Sequence, residues 1–322
     1  MTSRRKLGVV LGAGAARGWA HVGVLQALKD LKIKPDIICG CSMGALVAAS
    51  YATGHLQTLA NLATSLTRAR TLSYFDIKIV GGGLIEGRWI VRFFHENVED
   101  TAIENATTTF GTVATDLHTG RETWLTSGSI IDAVRASIAV PGLLSPIRLH
   151  GRWLVDGALV NPLPVSLCRA LGADVIIGIS LDGDLIRRPN NFLKDVPTPN
   201  ETPEKHSSWL RWLTANLPGG KLVKAAVSSE DNPEEPIGRP SYTDVIAGSF
   251  FIVQDFVSRV RLAADPADVL LVPDVSDIGW MDFHRAKDAI DAGRQEVLNA
   301  RSAIIDAAQL TAQAVPAQPQ SE

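Results

Sequence analysis

A serine set among small residues, Gly40-Cys41-Ser42-Met43-Gly44, lies between two apolar runs that cannot belong to one element. Asp36 to Cys39 reads as a short buried strand, and Met43 to Thr53 reads as a helix stopped by Gly54. A chain that turns from strand to helix over so few residues is crowded, and glycine on both sides of the serine relieves the crowding. Such a turn presents the hydroxyl at a helix N-terminus, above the carboxyl edge of a sheet. The G-x-S-x-G pattern by itself also suits plain packing of small residues. The strand–turn–helix setting favours Ser42 as a nucleophile.

The flanking sequence repeats the same alternation. Leu7 to Leu11 reads as a buried strand, and Arg17 to Leu31 carries Trp19, Val22, Leu25, Leu28 and Leu31 at helical spacing. Leu56 to Ala69 and Arg88 to Glu96 read as helices. Phe110 to Thr115 and Glu122 to Thr126 read as strands, followed by a helix from Ser129 to Ala139 and a strand from Ala173 to Ser180. Alternating strands and helices predict a three-layer α/β/α fold around a mostly parallel sheet. With 46% hydrophobic and 20% charged residues, the chain can fill such a core. A net charge of −3 argues against a nucleic-acid surface. Cys39, Cys41 and Cys168 show no metal spacing and read as small buried residues in a reducing compartment. Neither a metal nor an organic cofactor is expected. The basic start and the apolar run after it imitate a short signal peptide, yet the run also reads as the first strand of the core. No apolar stretch reaches the ~20 residues of a membrane-spanning helix. The expected location is cytoplasmic, with peripheral membrane contact as an option.

A second glycine-rich turn, Gly12-Ala13-Gly14-Ala15-Ala16-Arg17-Gly18, also follows a strand and opens a helix. Its backbone N–H groups can converge on an anion. One reading is an oxyanion hole, with the amides near Gly14 and Ala15 facing the developing charge. The other is a dinucleotide fingerprint and an oxidoreductase. That fingerprint is one residue shorter at its third glycine and wants an acidic residue at the end of the second strand, where this chain has the Gly-Cys-Ser-Met-Gly turn. The oxyanion reading is the better fit. Arg17 either orients the loop, meets an anionic head group or is simply solvated.

Asp156 stands in Trp153-Leu-Val-Asp-Gly-Ala-Leu-Val160. Asp-Gly between apolar runs is a strong hairpin-turn signal. Equally, a carboxylate among so many apolar neighbours needs a partner, and a serine hydroxyl would make it a general base with a raised pKa. The local pattern does not choose between these. A Ser-His-Asp triad would need a histidine from His21, His55, His95, His118, His150, His206 or His284. In α/β-hydrolase order only His206 and His284 are formally placed for it, and each reads better as a surface or packing residue. An ordinary α/β-hydrolase also builds more sheet before its elbow than one strand.

Taken together, Gly12 to Gly18, Gly40 to Gly44, Asp156-Gly157-Ala158 and Ala136-Ser-Ile-Ala-Val-Pro-Gly142 resemble the patatin-like phospholipases, close to the bacterial branch related to neuropathy target esterase. The resemblance runs over residues 7–181 and, less clearly, from Asp274 onward. It implies a lipid acyl-ester hydrolase of phospholipase A, lysophospholipase or esterase type. Its site would be a Ser42–Asp156 dyad without histidine, an oxyanion loop of Gly12, Ala13, Gly14, Ala15, Arg17 and Gly18, and an elbow of Gly40, Cys41, Met43 and Gly44. Ala13 and Ala15 depart from the richer glycine content of that family. A regulatory relative with weak turnover and transfer of the acyl group to an acceptor other than water are the remaining alternatives.

Residues 182–242 hold eight of the 17 prolines and little periodicity, so they read as an insertion or lid. Within them Trp209 and Trp212 have lysine neighbours. Packing on the main domain is the plainer reading, and insertion at a lipid interface is the functional one. Regularity returns with a helix from Tyr242 to Leu262, a strand at Val269 to Val272 and helices from Phe283 to Ala308, so that 243–308 reads as a C-terminal part packed on the core. Residues 309–322 are expected to be a disordered tail.

Overall fold

A computed structural model describes residues 4–68, 77–80, 83–85, 101–181 and 242–312. The expected helix Arg88–Glu96 and the segment carrying Trp209 and Trp212 lie outside these residues. The chain divides into two compact units, Met1–Asp184 with Val253–Glu322, and Leu185–Ile252.

The first unit is built on a sheet of eight strands. The parallel part runs β11 (Val269–Leu271), β10 (Val175–Ile179), β1 (Leu7–Leu11), β2 (Ile37–Gly40) and β5 (Thr109–Asp116). Every residue of β1, β2 and β10 is buried, which is why these strands read as unbroken apolar runs rather than alternating ones. Leu7, Val9 and Leu11 join Ile38, Phe110 and Ile177 in the main core, together with residues of α1 (Ala20–Asp30), α2 (Met43–Ala52) and α7 (Ala286–Asn299). The opposite face of β1 presents Gly8, and a side chain there would strike Cys168 of α5 (Val165–Ala170). Layers thus lie on both sides of the sheet, as the alternation predicts. Helices α4 (Ile130–Ser137) and α6 (Tyr242–Ala264) form where the periodicity places them, whereas α3 (Leu56–Ser65) stops short of the expected Ala69 because Leu66 is extended. Helices α1 and α7 cross closely: a Cβ on Gly23 would sit 1.9 Å from the Ile290 carbonyl oxygen, and one on Gly293 would sit 2.0 Å from that of Ala20.

The antiparallel part positions the site. Thr112 of β5 pairs with Gly40 of β2 on one edge and with Leu125 of β6 (Glu122–Leu125) on the other. Two residues further, Ala114 pairs with Thr123 of β6 and with Asp156 of β9 (Arg152–Asp156). One residue cannot take both partners on one edge, so β9 continues the line that β2 vacates. Strand β9 runs antiparallel to β5, so the carboxyl ends of β2 and β9 face each other across that gap.

Several elements differ from expectation. The segment from Arg17 begins as a 3-10 turn, Ala15–Trp19, before α1. Strands β7 (Gly142–Leu144) and β8 (Ile147–Leu149) carry no sequence signal; three residues on either side of Pro146 are too short to show a period. Strand β7 joins β4 (Gly83–Ile85) and β3 (Ile77–Val80) in a small second sheet. The Asp-Gly pair is not a hairpin turn. Asp156 has φ −48 and leads into a 3-10 turn, Gly157–Leu159, whereas the hairpin between β8 and β9 turns at His150 (φ 49) and Gly151 (φ 79). Helix α8 (Arg301–Ala312) extends four residues into the expected tail. Among the described residues no helix is long and apolar enough to cross a membrane.

Candidate active site

Strand β2 ends at Gly40 and α2 begins at Met43, leaving Cys41 and Ser42 to make the turn. Ser42 holds φ 53 and ψ −123, a region that residues with a side chain avoid. The local cost is about 1–3 kcal/mol and persists only because the surroundings impose it. Those surroundings are the two glycines. A Cβ on Gly40 would lie 2.3 Å from the Gly44 carbonyl oxygen, and one on Gly44 would lie 2.2 Å from that of Leu11. The Cys41 amide is held by Leu11 as well, at 3.0 Å. Helix α2 is therefore pressed against the end of β1.

Ser42 occupies the N-cap position of α2, where a serine hydroxyl ordinarily accepts from the first turn. Here it caps nothing. Its Oγ donates instead to Asp156 Oδ2 at 2.8 Å. Asp156 is fully buried, and Ser42 is 8% exposed. The other carboxylate oxygen, Oδ1, accepts from the Ala158 amide at 2.8 Å, which needs the turn that Gly157 makes against Val113. The Asp156 amide donates to Ala139, and its carbonyl accepts from the Thr115 hydroxyl at 2.7 Å. Burial pushes the Asp156 carboxyl up to about 7, against the weaker opposing pull of the Ala158 and Ser42 hydrogen bonds.

The loop from Gly12 to Gly18 lies against this pair. Gly12 and Ala13 donate their amides to Ile179 and Pro162, Ala16 to Trp280 and Arg17 to Gly14. The amides of Gly14 and Ala15 take no acceptor among the described residues, and neither does that of Met43 at the start of α2. Ala15 has φ 47, so the loop keeps a left-handed residue without glycine there. The Arg17 Nε donates to the Ile278 carbonyl at 2.7 Å and so ties the loop to the segment around Ile278. Gly18 lies against the elbow, since a Cβ on it would fall 2.2 Å from Met43 Cγ.

No histidine of the described residues bonds to Ser42 or Asp156. His21 is fully buried, and its Nε2 donates to the Gly12 carbonyl at 2.8 Å. Burial pulls its pKa down to about 4, so it is neutral and braces the loop. His284 accepts from Arg68 at 3.1 Å through Nε2. His95 and His206 lie outside the described residues. Asp36 accepts the Leu7 amide at the amino end of β2, the wrong end to meet a ribose. Among the described residues no cluster of three or more His, Cys, Asp or Glu could hold a metal ion.

Two further residues belong to the site and escape sequence reasoning. The Ser42 amide donates to Ser137 Oγ at 3.0 Å, Ser137 meets Thr112 Oγ1 at 2.9 Å, and Thr112 meets the Gly40 carbonyl at 2.7 Å. A carbonyl can only accept, so Thr112 spends its proton on Gly40 and accepts from Ser137. The chain of hydroxyls replaces the sheet ladder where β2 stops pairing, and it grips the elbow on both sides of Cys41. Ser137 lies in the Ala136–Gly142 segment that carries the resemblance, but nothing in the spacing marks its role or that of Thr112.

This is a serine poised on a carboxylate at the carboxyl edge of a three-layer sheet, beside a loop with free amides. A family profile described as patatin-like phospholipase matches residues 9–169. The chain is 31% identical over 334 residues to an uncharacterised NTE family protein of Mycobacterium tuberculosis, spanning 91% of this chain and 90% of that one. It is 36% identical over 186 residues to a lysophospholipase, nte1, of Emericella nidulans, covering 55% of this chain but 12% of the fungal protein. The crystal structure of VipD from Legionella pneumophila aligns with a TM-score of 0.35 and 14% identity over 95% of this chain and 77% of that one, too loosely to carry an argument. The chain belongs to the patatin-like phospholipase family.

Proposed function

We propose that this protein hydrolyses lipid acyl esters through Ser42 and Asp156. The observation that carries the reading is the 2.8 Å bond from Ser42 Oγ to a buried Asp156 carboxylate whose pKa is lifted to about 7. A base of that strength is well matched to neutral pH. Asp156 takes the Ser42 proton as Oγ attacks the ester carbonyl. The negative charge that forms on the carbonyl oxygen is met by the free amides of Gly14, Ala15 and Met43. The helix N-terminus at Met43 adds its dipole. When the tetrahedral intermediate collapses, Asp156 returns the proton to the departing alcohol. Water then repeats the sequence on the acyl-serine, with Asp156 again as base, and releases the fatty acid.

Family membership supports a lipid substrate, and the fungal relative makes a lysophospholipid the first to try. The test is labelling by a fluorophosphonate, followed by release of fatty acid from lysophosphatidylcholine and phosphatidylcholine. Wild type is expected to label and to turn over, while Ser42→Ala and Asp156→Asn do neither. Labelling of Ser42→Ala at the wild-type rate would place the nucleophile elsewhere and end this reading.

A further inference from the structure

Strand β5 outruns β2 by four residues, from Thr112 to Asp116, and carries β6 and β9 with it. Two hairpin tips result, Leu117 to Gly120 between β5 and β6, and His150-Gly151 between β8 and β9. The Leu117 amide donates to the Trp153 carbonyl at 2.8 Å and ties them together. Both project past the carboxyl edge of the sheet, the edge that carries Ser42. At about 3.3 Å per residue, Leu117 stands ~17 Å beyond the level where β2 ends.

What these hairpins expose is unusual for a water-facing surface. Leu117 is 55% exposed, Trp124 46% and Trp153 45%. The register puts them on one face: Trp124 lies opposite Val113, and Val113, Thr115 and Leu117 alternate onto the same side of β5. Trp153 lies opposite Leu117 by the same count and opposite Arg148 across β8. Arg121, Arg148 and Arg152 are exposed on the same hairpins, and none forms an ion pair among the described residues. The two neighbouring acids are engaged. Asp116 accepts the amides of His118 and Thr119 and has Arg152 nearby, while Glu122 is bonded by Arg261, Asn161 and Trp124.

We infer that these two hairpins are the surface by which the protein docks on an anionic phospholipid bilayer. Tryptophan settles at the boundary between head groups and acyl chains, and exposed arginine outside any ion pair is drawn to the negative potential of the head groups. The choice of a bilayer as occupant rests on the hydrolase reading. It also fits the position of the tips, which would bring the membrane to the edge of the sheet from which Ser42 is reached.

The experiment is cosedimentation with vesicles of phosphatidylcholine alone or with phosphatidylglycerol added, read beside turnover of a short-chain soluble ester. Wild type is expected to bind the anionic vesicles and to release them at high salt. Combined Arg121→Ala, Arg148→Ala and Arg152→Ala substitutions should weaken that binding about a hundredfold, since each arginine near such a surface contributes roughly a factor of five. Leu117→Ala with Trp153→Ala should weaken it at least about tenfold. Both variants should keep soluble-ester turnover within about twofold, because neither touches the dyad or the loop. Equal binding by wild type and the arginine variant, or no binding by wild type, overturns the inference. So does wild-type self-association in sedimentation velocity that Leu117→Ala with Trp153→Ala abolishes while leaving vesicle binding unchanged. An inactive wild type that still binds would defeat the hydrolase reading and leave the docking surface standing.

Discussion

Gly40 and Asp156 occupy the same edge of β5, two rungs apart, one ending a parallel strand and the other an antiparallel one. The contact between Ser42 and Asp156 follows from that arrangement. Strand β9 ends on Asp156 itself and β2 ends two residues before Ser42, and the 2.8 Å bond from Ser42 to Asp156 closes the gap between them. Residues 114 positions apart are thereby held by sheet geometry rather than by a flexible loop. Rigid placement of this kind suits a proton transfer whose partners must stay within hydrogen-bond reach.

The pH dependence of turnover should report Asp156. Only its ionised form can take the Ser42 proton, and its pKa is raised by burial to about 7. On a soluble ester, kcat/KM is expected to rise tenfold per pH unit below this value and to level off above it. An acid limb near 4, the ordinary carboxylate range, would mean that the buried carboxylate is not the base.

Ser137 and Thr112 should act on kcat through the elbow. Ser137→Ala leaves the buried Ser42 amide without an acceptor, and an unmet buried donor costs about 1–3 kcal/mol. Much of this is expected to appear as loosened placement of Ser42, lowering kcat about 10- to 100-fold with KM little changed. Thr112→Val removes the donor to Gly40 while preserving shape and should act similarly, whereas Thr112→Ser should restore activity. Fluorophosphonate labelling rates measure the same effect without substrate binding. A Thr112→Val enzyme with wild-type kcat would show that the hydroxyl chain is idle.

The elbow glycines should tolerate nothing larger. A Gly44→Ala methyl would lie 2.2 Å from the Leu11 carbonyl oxygen and 2.6 Å from that of Gly12, both backbone atoms that cannot yield cheaply. The variant is expected to lose several kcal/mol and to be recovered mainly as insoluble protein. Soluble Gly44→Ala with a wild-type melting temperature would contradict the close approach of α2 to β1.

These sites differ in how far the sequence reveals them. The elbow is local: Gly40, Ser42 and Gly44 lie within one turn, so their spacing carries the geometry that demands it. The loop is nearly as legible, because Gly14 and Ala15 follow a strand directly, although the brace from Arg17 to Ile278 could not be foreseen across 261 positions. Asp156 is ambiguous in sequence because its neighbourhood imitates a hairpin turn, and only the pairing of β9 with β5 decides the matter. Ser137 and Thr112 are invisible as functional groups: a lone hydroxyl in a helix or strand has no distinguishing spacing. Their meaning appears only where β2 stops pairing and leaves an amide to satisfy.

Removing the carboxylate should cost activity and alter stability with opposite pH slopes. Asp156 has its pKa raised from 3.8 to about 7, so its contribution to stability is full below 3.8 and is lost as pH rises to about 7, a swing of about 4 kcal/mol. His21 has its pKa lowered from 6.5 to about 4, so its contribution is full above 6.5 and is lost as pH falls to about 4, a swing of about 3 kcal/mol. The two oppose each other between pH 4 and 6.5. Asp156→Asn should lower turnover about a thousandfold or more and be more stable than wild type at pH 8. It should then lose stability as pH falls from 6.5 to 4, because His21 is no longer opposed. His21→Gln, which can keep a donor on the Gly12 carbonyl, should show the reverse slope, gaining stability as pH falls. Parallel urea profiles for wild type and Asp156→Asn across pH 4 to 8 would mean that the carboxylate is not strained by burial, and the raised base on which the mechanism depends would be lost with it.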